Sequence, residues 1–203
     1  SAVYVTEANL WAFGRYGIES VGCDLFLDRA RIWNNSTGGI DMSDGSLFMV
    51  NTSVAHNGVF GDPNATGGLR LTDVTVDRFA YNSVVYNQAI DGVSSDTLTC
   101  AGTNVGELRN SIESVADQCA IQFTISNSAV DLAALVGGSN VDAGAPDNSR
   151  FVSVISGDLH LAPAAPLAWV SAASWEAGDP LLDIDGQPRD GATSAVGVDE
   201  PTN

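Results

Sequence analysis

Two aspartates near the C-terminus have the spacing in this chain that best fits a metal site. The segment Asp183-Ile-Asp-Gly places carboxylates at alternate positions before a glycine, and oxygen ligands of this kind suit a hard cation such as Ca²⁺. The other interpretation is an Asp-Gly turn that is held by an ion pair between Arg189 and a carboxylate. The sequence therefore indicates structural Ca²⁺ at Asp183 and Asp185 as one of two possibilities, and it points to no other cofactor.

Four further aspartates have the chemistry of glycoside hydrolysis, in which two carboxylates act across one bond. They are Asp41, Asp44, Asp73 and Asp77. If the chain folds as stacked coils, these carboxylates can meet between neighbouring coils. We favour the alternative that they cap turns and face solvent.

The three cysteines and two histidines limit the possible metal and redox chemistry. No Cys-x-x-Cys pair occurs and the histidines are His56 and His160, so the sequence does not favour a zinc site. Cys100 and Cys119 lie about one repeat apart, and a disulfide between them is one outcome that suits an exported protein. Cys23 precedes an apolar run, and we expect it to be a buried thiol.

Asn35, Asn57 and Asn87 recur at one phase of a repeat. Stacked asparagines at a tight bend can hydrogen-bond from coil to coil and tolerate a left-handed backbone. We therefore predict an internal ladder; the alternative is a row of amides that contact a ligand. Just before these asparagines come Trp33, His56 and Tyr86. These three either form an outward aromatic track for a sugar or cover the corner of the fold.

The repeat that would position these side chains has three aligned units. They run from Gly17 to Asn35, from Gly38 to Asn57 and from Gly67 to Asn87. Each opens with glycine and an aliphatic residue, crosses a β-rich run, and closes with aliphatic-x-x-Asn. A period of about 20 to 30 residues is typical of a solenoid whose coils bury their apolar faces by stacking. The chain is therefore predicted to be all-β.

The same pattern extends in both directions along the chain. Residues 1–16 fit one earlier coil, and Ile112 fits the closing aliphatic position of a fourth unit. A period-two strand is predicted after Cys119, with Ile121, Phe123 and Ile125 on one face. The uneven intervals predict loops at Val59–Thr66 and Asp91–Thr103, where binding function is often found.

The last part of the chain has a different texture, with sparse periodicity and several prolines. We predict coils over residues 1–168 and, over residues 169–203, an irregular closing segment of the same domain that blunts the last open coil. The chain also begins in a strand-like run without a visible signal peptide. We therefore expect a processed segment with upstream coils missing, and an open N-terminal edge that could pair with another copy.

Charge and hydropathy exclude several partners. The formal net charge is −17 and lysine is absent, so the surface repels nucleic acid and anionic lipid. The acidic surface would attract Ca²⁺ or keep the protein dissolved in a salty medium. No run of about 18 apolar residues is present, so no membrane span is predicted.

Several motifs resemble the parallel β-helix repeats of bacterial cell-surface proteins. The matching pieces are Arg109–Ile112, Asn127-Ser128, Asn140–Ala143, Gly157–Ala165, Asp183–Arg189 and Val196–Glu200. The resemblance implies a right-handed, single-stranded parallel β-helix that is secreted or displayed on a bacterium. Ala164-Ala-Pro-Leu departs from the polar turn usual in that group. The group has no agreed activity, so the resemblance implies none.

The sequence thus favours a non-catalytic extracellular module that acts as a surface scaffold or adhesin-like domain, with a carbohydrate or cell-surface protein bound at the corner loops. The alternative is a polysaccharide lyase or hydrolase that acts on an acidic polysaccharide. Without lysine, a lyase of this shape would have to use arginine as its base. A lyase predicts clustered carboxylates and arginines on one solvent-facing sheet, with Ca²⁺ affinity, whereas a scaffold predicts ladders of Ser, Thr and Asn on that face instead.

Overall fold

The computed structural model describes residues 1–58, 65–85, 87, 98–115, 117–144, 148–189 and 193–198. In these ranges the chain is a right-handed parallel β-helix in which short strands stack coil upon coil into three parallel sheets. This confirms the predicted fold class. Across the described residues, the helices are too short or too polar to span a lipid bilayer.

Sheet A contains one strand from each of six coils. In order through the sheet these are β1 (Ala2–Thr6), β4 (Asp24–Asp28), β7 (Ser46–Val50), β10 (Thr75–Ala80), β13 (Val105–Arg109) and β15 (Thr124–Ser126). We number the coils 1 to 6 by these strands.

Sheet B follows sheet A in every coil and has a seventh strand. Its strands are β2 (Asn9–Trp11), β5 (Arg31–Trp33), β8 (Ser53–Ala55), β11 (Ser83–Val85), β14 (Ile112–Glu113), β16 (Ala129–Val130) and β17 (Val141–Asp142).

Sheet C closes coils 1 to 4. Its strands are β3 (Tyr16–Val21), β6 (Gly38–Ser43), β9 (Gly67–Thr72) and β12 (Leu98–Ala101). In coil 5 a short helix, α1 (Asp117–Ala120), follows sheet B instead.

The strands bury alternate residues in a continuous interior. On β4, for example, Leu25 and Leu27 are fully buried while Phe26 points outward. The opening glycine of each repeat has a steric reason in this packing. A Cβ on Gly39 would lie 2.5 Å from a Val54 methyl group, and one on Gly17 would lie 2.6 Å from an Ile32 methyl group. Only glycine lets sheet C approach the aliphatic column of sheet B so closely.

The coils differ in length, as the uneven repeat predicted. Equivalent residues are 22 apart between coils 2 and 3, 30 apart between coils 3 and 4 and 17 apart between coils 5 and 6. The predicted loop Val59–Thr66 lies outside the described residues except at its last two positions. Most of the predicted loop Asp91–Thr103 is also outside them, but Leu98–Ala101 forms strand β12, so the loop prediction was wrong there.

The predicted phase of coil 5 was wrong by one residue. Val84 pairs with Glu113, and Ile112 pairs with Ser83. A hydrogen bond from the backbone N–H of Asn82 to the Ser111 hydroxyl aligns the two coils in this register. Ile112 therefore points outward, and Glu113 takes the interior position that Ile32 and Val54 hold in coils 2 and 3.

The period-two strand predicted after Cys119 is also wrong. Residues 117–120 form helix α1, a turn follows, and the strand extends only over Thr124–Ser126. Ile121 is 87% exposed.

The C-terminal segment, residues 148–198, is irregular. It contains an antiparallel hairpin of β18 (Phe151–Ser153) and β19 (Asp158–Leu161), a 3₁₀ helix over Leu167–Ser171, and a pair of short strands, β20 (Ala173–Ser174) and β21 (Thr193–Ser194). Its apolar side chains form a second core with the outward residues of sheets A and B, including Tyr81 and Ile112. Its hydrogen bonds to the coils reach from Arg31 in coil 2 to Asp142 on β17. The boundary predicted at residue 168 stays a prediction.

Candidate functional site

The three asparagines predicted to form a ladder lie in one row at the bend after sheet B. The side-chain amide of Asn35 donates to Asn57 Oδ1 at 2.9 Å, and that of Asn57 donates to Asn87 Oδ1 at 2.8 Å. Each amide also donates to a backbone carbonyl of the preceding coil. The three residues are almost fully buried, which leaves their amides no access to a ligand.

The left-handed residue at this bend is not the one predicted. In coils 2 and 3 the positive φ belongs to Asn34, at 56°, and to His56, at 53°, each one position before the ladder asparagine. Asn35 and Asn57 use their side chains for cross-coil hydrogen bonding, while the preceding residue makes the turn.

A second ladder, at the bend between sheets A and B, was not predicted. Backbone N–H groups of one coil donate to side-chain oxygens of the next coil. The acceptors are Asn82, Ser111, Ser128 and Asn140. The recurring Asn-Ser pairs at positions 110 and 127 were the available signal.

The residues considered for an aromatic track have different surroundings, and the track stays a prediction. Trp33 stacks on Trp11 with 5.3 Å between ring centroids and 7° between ring planes, and the backbone of Gly157 packs against the same indole. His56 is half-buried at the bend, where burial lowers its pKa and favours the neutral ring. Tyr86 lies outside the described residues.

Another row of aromatic rings crosses the outer face of sheet A. Tyr4 stacks on Phe26 at 4.6 Å and 13°, and Phe26 contacts Phe48 at 5.9 Å. Tyr4, the first ring of this row, is 72% exposed, so one end of the row is open to solvent.

Cys100 and Cys119 form a disulfide, which confirms that prediction. The bond joins strand β12 of coil 4 to helix α1 of coil 5 and so connects the two coils where sheet C ends. Cys23 is free but half-buried, so the expectation of a buried thiol was wrong.

Asp183 and Asp185 have separate partners. Asp183 is fully buried, and its Oδ1 accepts the backbone N–H groups of Asp185 and Gln187. Asp185 instead accepts from Arg31 at 2.6 Å and contacts His160. Among the described residues, three or more His, Cys, Asp or Glu side chains do not meet in a geometry that would hold a metal ion. Structural Ca²⁺ here stays a prediction.

Arg189 was expected to pair with a carboxylate beside this turn. Its guanidinium donates to Asn51 Oδ1 at 2.8 Å and to the carbonyls of Gly197 and Val198, and the pair with a carboxylate stays a prediction. The guanidinium also lies 4.0 Å from the centre of the Tyr81 ring. The contacts of Arg189 thus join the C-terminal segment to coils 3 and 4.

The four aspartates considered for catalysis are spread over different parts of the coils. Asp44 and Asp73 occupy left-handed turns with φ of 58° and 55°, and Asp73 Oδ1 accepts the N–H of Thr103. Asp41 lies on the outer face of sheet C and receives two hydrogen bonds from Arg70. Asp77 is an exposed residue of β10.

A cleft beside the first two coils is the candidate binding site of the molecule. It has a volume of about 350 Å³ and lies between coils 1 and 2 on one side and the turn at Asp185 on the other. We use "the cleft" for the space lined by Glu7, Asn9, Arg29, Arg31, Ile184 and Asp185.

A chain of charged contacts holds one wall of the cleft. Arg31 donates to Asp185, Asp185 contacts His160 Nε2, and His160 Nδ1 contacts Asp158. These contacts join coil 2 to the turn and to the hairpin of the C-terminal segment. On the opposite wall Arg29 pairs with Glu7 at 2.5 Å.

A second set of contacts anchors the same segment to coil 5. Both oxygens of the fully buried Asp179 accept hydrogen bonds from Arg109, and the N–H of Glu176 donates to the same carboxylate at 2.9 Å. Asn110 and Ser174 exchange two hydrogen bonds nearby. A buried, fully bonded carboxylate of this kind is a strong structural contact.

Glu113 occupies a buried position in the interior column of sheet B, between Val84 and Val130. It is 1% exposed, and neither carboxyl oxygen has a hydrogen-bond partner. Burial, with a smaller contribution from the charge of Asp131, raises the pKa of Glu113 to about 8. The group is therefore neutral at pH 7.

Among known proteins, similarity to this chain was found at the level of structure. No family model matches the chain, and no curated protein matches it. The crystal structure of pectate lyase Pel9A is similar, with a TM-score of 0.48 and 16% sequence identity. The likeness covers 98% of this chain but 59% of that one, so this chain spans less than two thirds of the length of the pectate lyase.

Proposed function

We propose that this chain is a non-catalytic extracellular β-helix module that serves as a rigid surface scaffold or adhesin-like binding domain. The interior supports a rigid role, because two polar ladders and a disulfide join successive coils. A disulfide also favours an oxidising, extracellular location. The motif resemblance described above adds a bacterial surface as the proposed setting, and a carbohydrate or surface protein as the proposed partner.

The observation that carries the non-catalytic part of the proposal is the state of Arg70. Without lysine in the chain, a lyase reaction would need an arginine that can give up its proton. Arg70 lies beside Asp41 on the outer face of sheet C. Its hydrogen bonds to Asp41 raise the pKa of the guanidinium. The pair therefore holds Arg70 protonated, as a structural ion pair does and a general base cannot.

An activity assay tests this proposal. The chain is incubated with polygalacturonate and with alginate, with Ca²⁺ or with EDTA, and the ultraviolet absorbance of a 4,5-unsaturated product is followed. A parallel assay of reducing ends detects hydrolysis. We expect neither product.

A matched pair of variants interprets a positive result. Arg70→Ala removes the arginine beside Asp41. Arg15→Ala removes an exposed arginine just before β3, where it lies 3.7 Å from Glu19 of that strand. Product formed by the wild type and by Arg15→Ala, but lost in Arg70→Ala, would overturn the scaffold proposal in favour of a lyase.

A further inference from the structure

We infer that the cleft between coils 1 and 2 and the turn at Asp185 binds a neutral saccharide. This inference rests on the proposed binding role and names a site and a ligand class for it. The volume of about 350 Å³ falls in the range of small-molecule sites and suits a mono- or disaccharide. The corner loops predicted from the sequence are not needed for this site.

The hydrogen-bonding groups of the cleft match a polyol. Asn9, Arg31 and Asp185 bring planar amide, guanidinium and carboxylate groups to one space, and each can bond two neighbouring hydroxyl groups of a sugar ring. The Arg31 and Asp185 side chains are 33% and 31% exposed, so they remain accessible while they hold each other. Ile184 adds an apolar surface on the wall formed by the turn.

The indole of Trp11 is not among the lining residues, but it lies on the same strand as Asn9, which is. Trp11 follows Asn9 by two residues on β2, so both side chains lie on the outer face of the strand. Trp33 covers one face of Trp11, and the Trp33 indole N–H is fixed by a 2.7 Å hydrogen bond to Asn9 Oδ1. Trp11 is 52% exposed. An aromatic ring held beside planar polar groups offers a stacking surface for the C–H face of a sugar.

The charges of the cleft favour a neutral ligand over an acidic one. Arg29 pairs with Glu7, and Arg31 pairs with Asp185, so each guanidinium already faces a carboxylate. An anionic sugar bound to either guanidinium would lie close to the carboxylate that is already paired with it. The net charge of −17 adds a repulsion that a uronate feels and a neutral sugar does not.

Saturation-transfer NMR and titration calorimetry of the intact chain test the inference. The neutral probes are cellobiose, maltose and N,N′-diacetylchitobiose, and the acidic probe is digalacturonate. We expect at least one neutral probe to bind, with its strongest saturation transfer on ring C–H protons, and digalacturonate to bind at least tenfold more weakly.

Two aromatic variants locate the site. Trp11→Ala should weaken binding of the neutral probe about tenfold, because it removes the stacking surface. Tyr4→Ala is the matched control, since Tyr4 is also an exposed coil 1 ring stacked on the next coil but lies on sheet A, away from the cleft. The Tyr4→Ala variant should bind the neutral probe with the affinity of the wild type.

Asn9→Asp keeps the size of the side chain and should weaken binding of the neutral probe severalfold.

The outcomes separate this inference from the proposed function. No binding of any neutral probe at millimolar concentration, equal loss in Trp11→Ala and Tyr4→Ala, or tighter binding of digalacturonate than of the neutral probes would each overturn the saccharide site. The scaffold proposal would survive those results, because it fails only if the activity assay shows unsaturated product or new reducing ends.

Discussion

Coils 2 to 4 and coil 5 differ in the residues that fill the interior of sheet B and in the contacts that hold each coil to its neighbours. In coils 2 to 4 an aliphatic column of Ile32, Val54 and Val84 fills the interior of sheet B, and the asparagine ladder secures the adjoining bend. Coil 5 places Glu113 in that column, replaces sheet C with helix α1, and is tied to coil 4 by a disulfide.

The difference shows which parts of a coil can be exchanged. Each coil contacts only its neighbours in the stack, so a polar residue in one interior position is tolerated when other contacts hold that coil in place. For coil 5 these are the disulfide and the contacts between Asp179 and Arg109. Coils 2 to 4 depend instead on their repeated interior, and the two regions should respond differently to substitution.

The largest effect is expected from Asn57→Ala in the regular coils. The Asn57 side chain accepts two hydrogen bonds from Asn35, and its two N–H groups are shared among Asn87 Oδ1 and two backbone carbonyls, so alanine leaves several buried groups unpaired. The free energy of unfolding should fall by about 4 kcal/mol, as measured by urea denaturation.

The neighbouring turn residue provides the control for this substitution. Asn34→Gly keeps a residue that suits positive φ and should change the free energy of unfolding by less than about 1 kcal/mol. A loss from Asn57→Ala no larger than that of the control would show that the ladder does not secure the regular coils.

Removal of the disulfide should have the next largest effect. The Cys100→Ser, Cys119→Ser double variant loses a crosslink between residues 19 apart, for which chain entropy predicts a loss of about 3 kcal/mol. Cys23→Ser, at the free half-buried cysteine, should have little effect. If the reduced wild type and the oxidised wild type unfold at the same urea concentration, the crosslink does not stabilise coil 5.

The free energy of unfolding should depend on pH through the titration of Glu113. Its pKa is raised from 4.5 to about 8 in the folded chain, so between these values the folded state binds a proton that the unfolded state has released. The contribution of Glu113 to the free energy of unfolding is therefore fully present below pH 4.5 and is lost as the pH rises toward 8. We expect a loss of about 2 kcal/mol, below the ceiling of about 5 kcal/mol set by the shift.

Glu113→Gln separates charge from shape. This variant should lose the pH-dependent step between pH 4.5 and 8, whereas Glu107→Gln, at an exposed glutamate of the same coil, should retain it. Chemical denaturation at a series of pH values measures both. An unchanged step in Glu113→Gln would mean that another group accounts for it.

The smallest effect is expected on the outer surface of the regular coils. The pair of Asp41 and Arg70 is partly exposed, with 40% of the Arg70 side chain accessible. A double-mutant cycle with Asp41→Asn and Arg70→Gln should give a coupling of about 0.5 kcal/mol that declines with added salt. A coupling as large as the loss from Asn57→Ala would contradict the view that the interior dominates these coils.

Much of the β-helix could be predicted because its information is local. The spacing of Gly17, Ile32 and Asn35, repeated in two later units, identifies which residues face the interior. It also placed Cys100 and Cys119 near each other. The prediction for Ile112 was wrong, because a hydrogen bond between Asn82 and Ser111 sets the register, and an aliphatic residue one position away resembled the expected pattern.

By itself the sequence determined the repeat, the all-β class, the positions of the asparagine row and the acidic surface. Only the tertiary structure decided that Glu113 is buried, that Arg109 meets Asp179, and that the cleft exists. The reason is distance along the chain. Stacked coils join residues one repeat apart, so a periodic pattern encodes their contacts, whereas Arg31 and Asp185 are 154 residues apart and meet only because an irregular segment packs back along the flank of the coils.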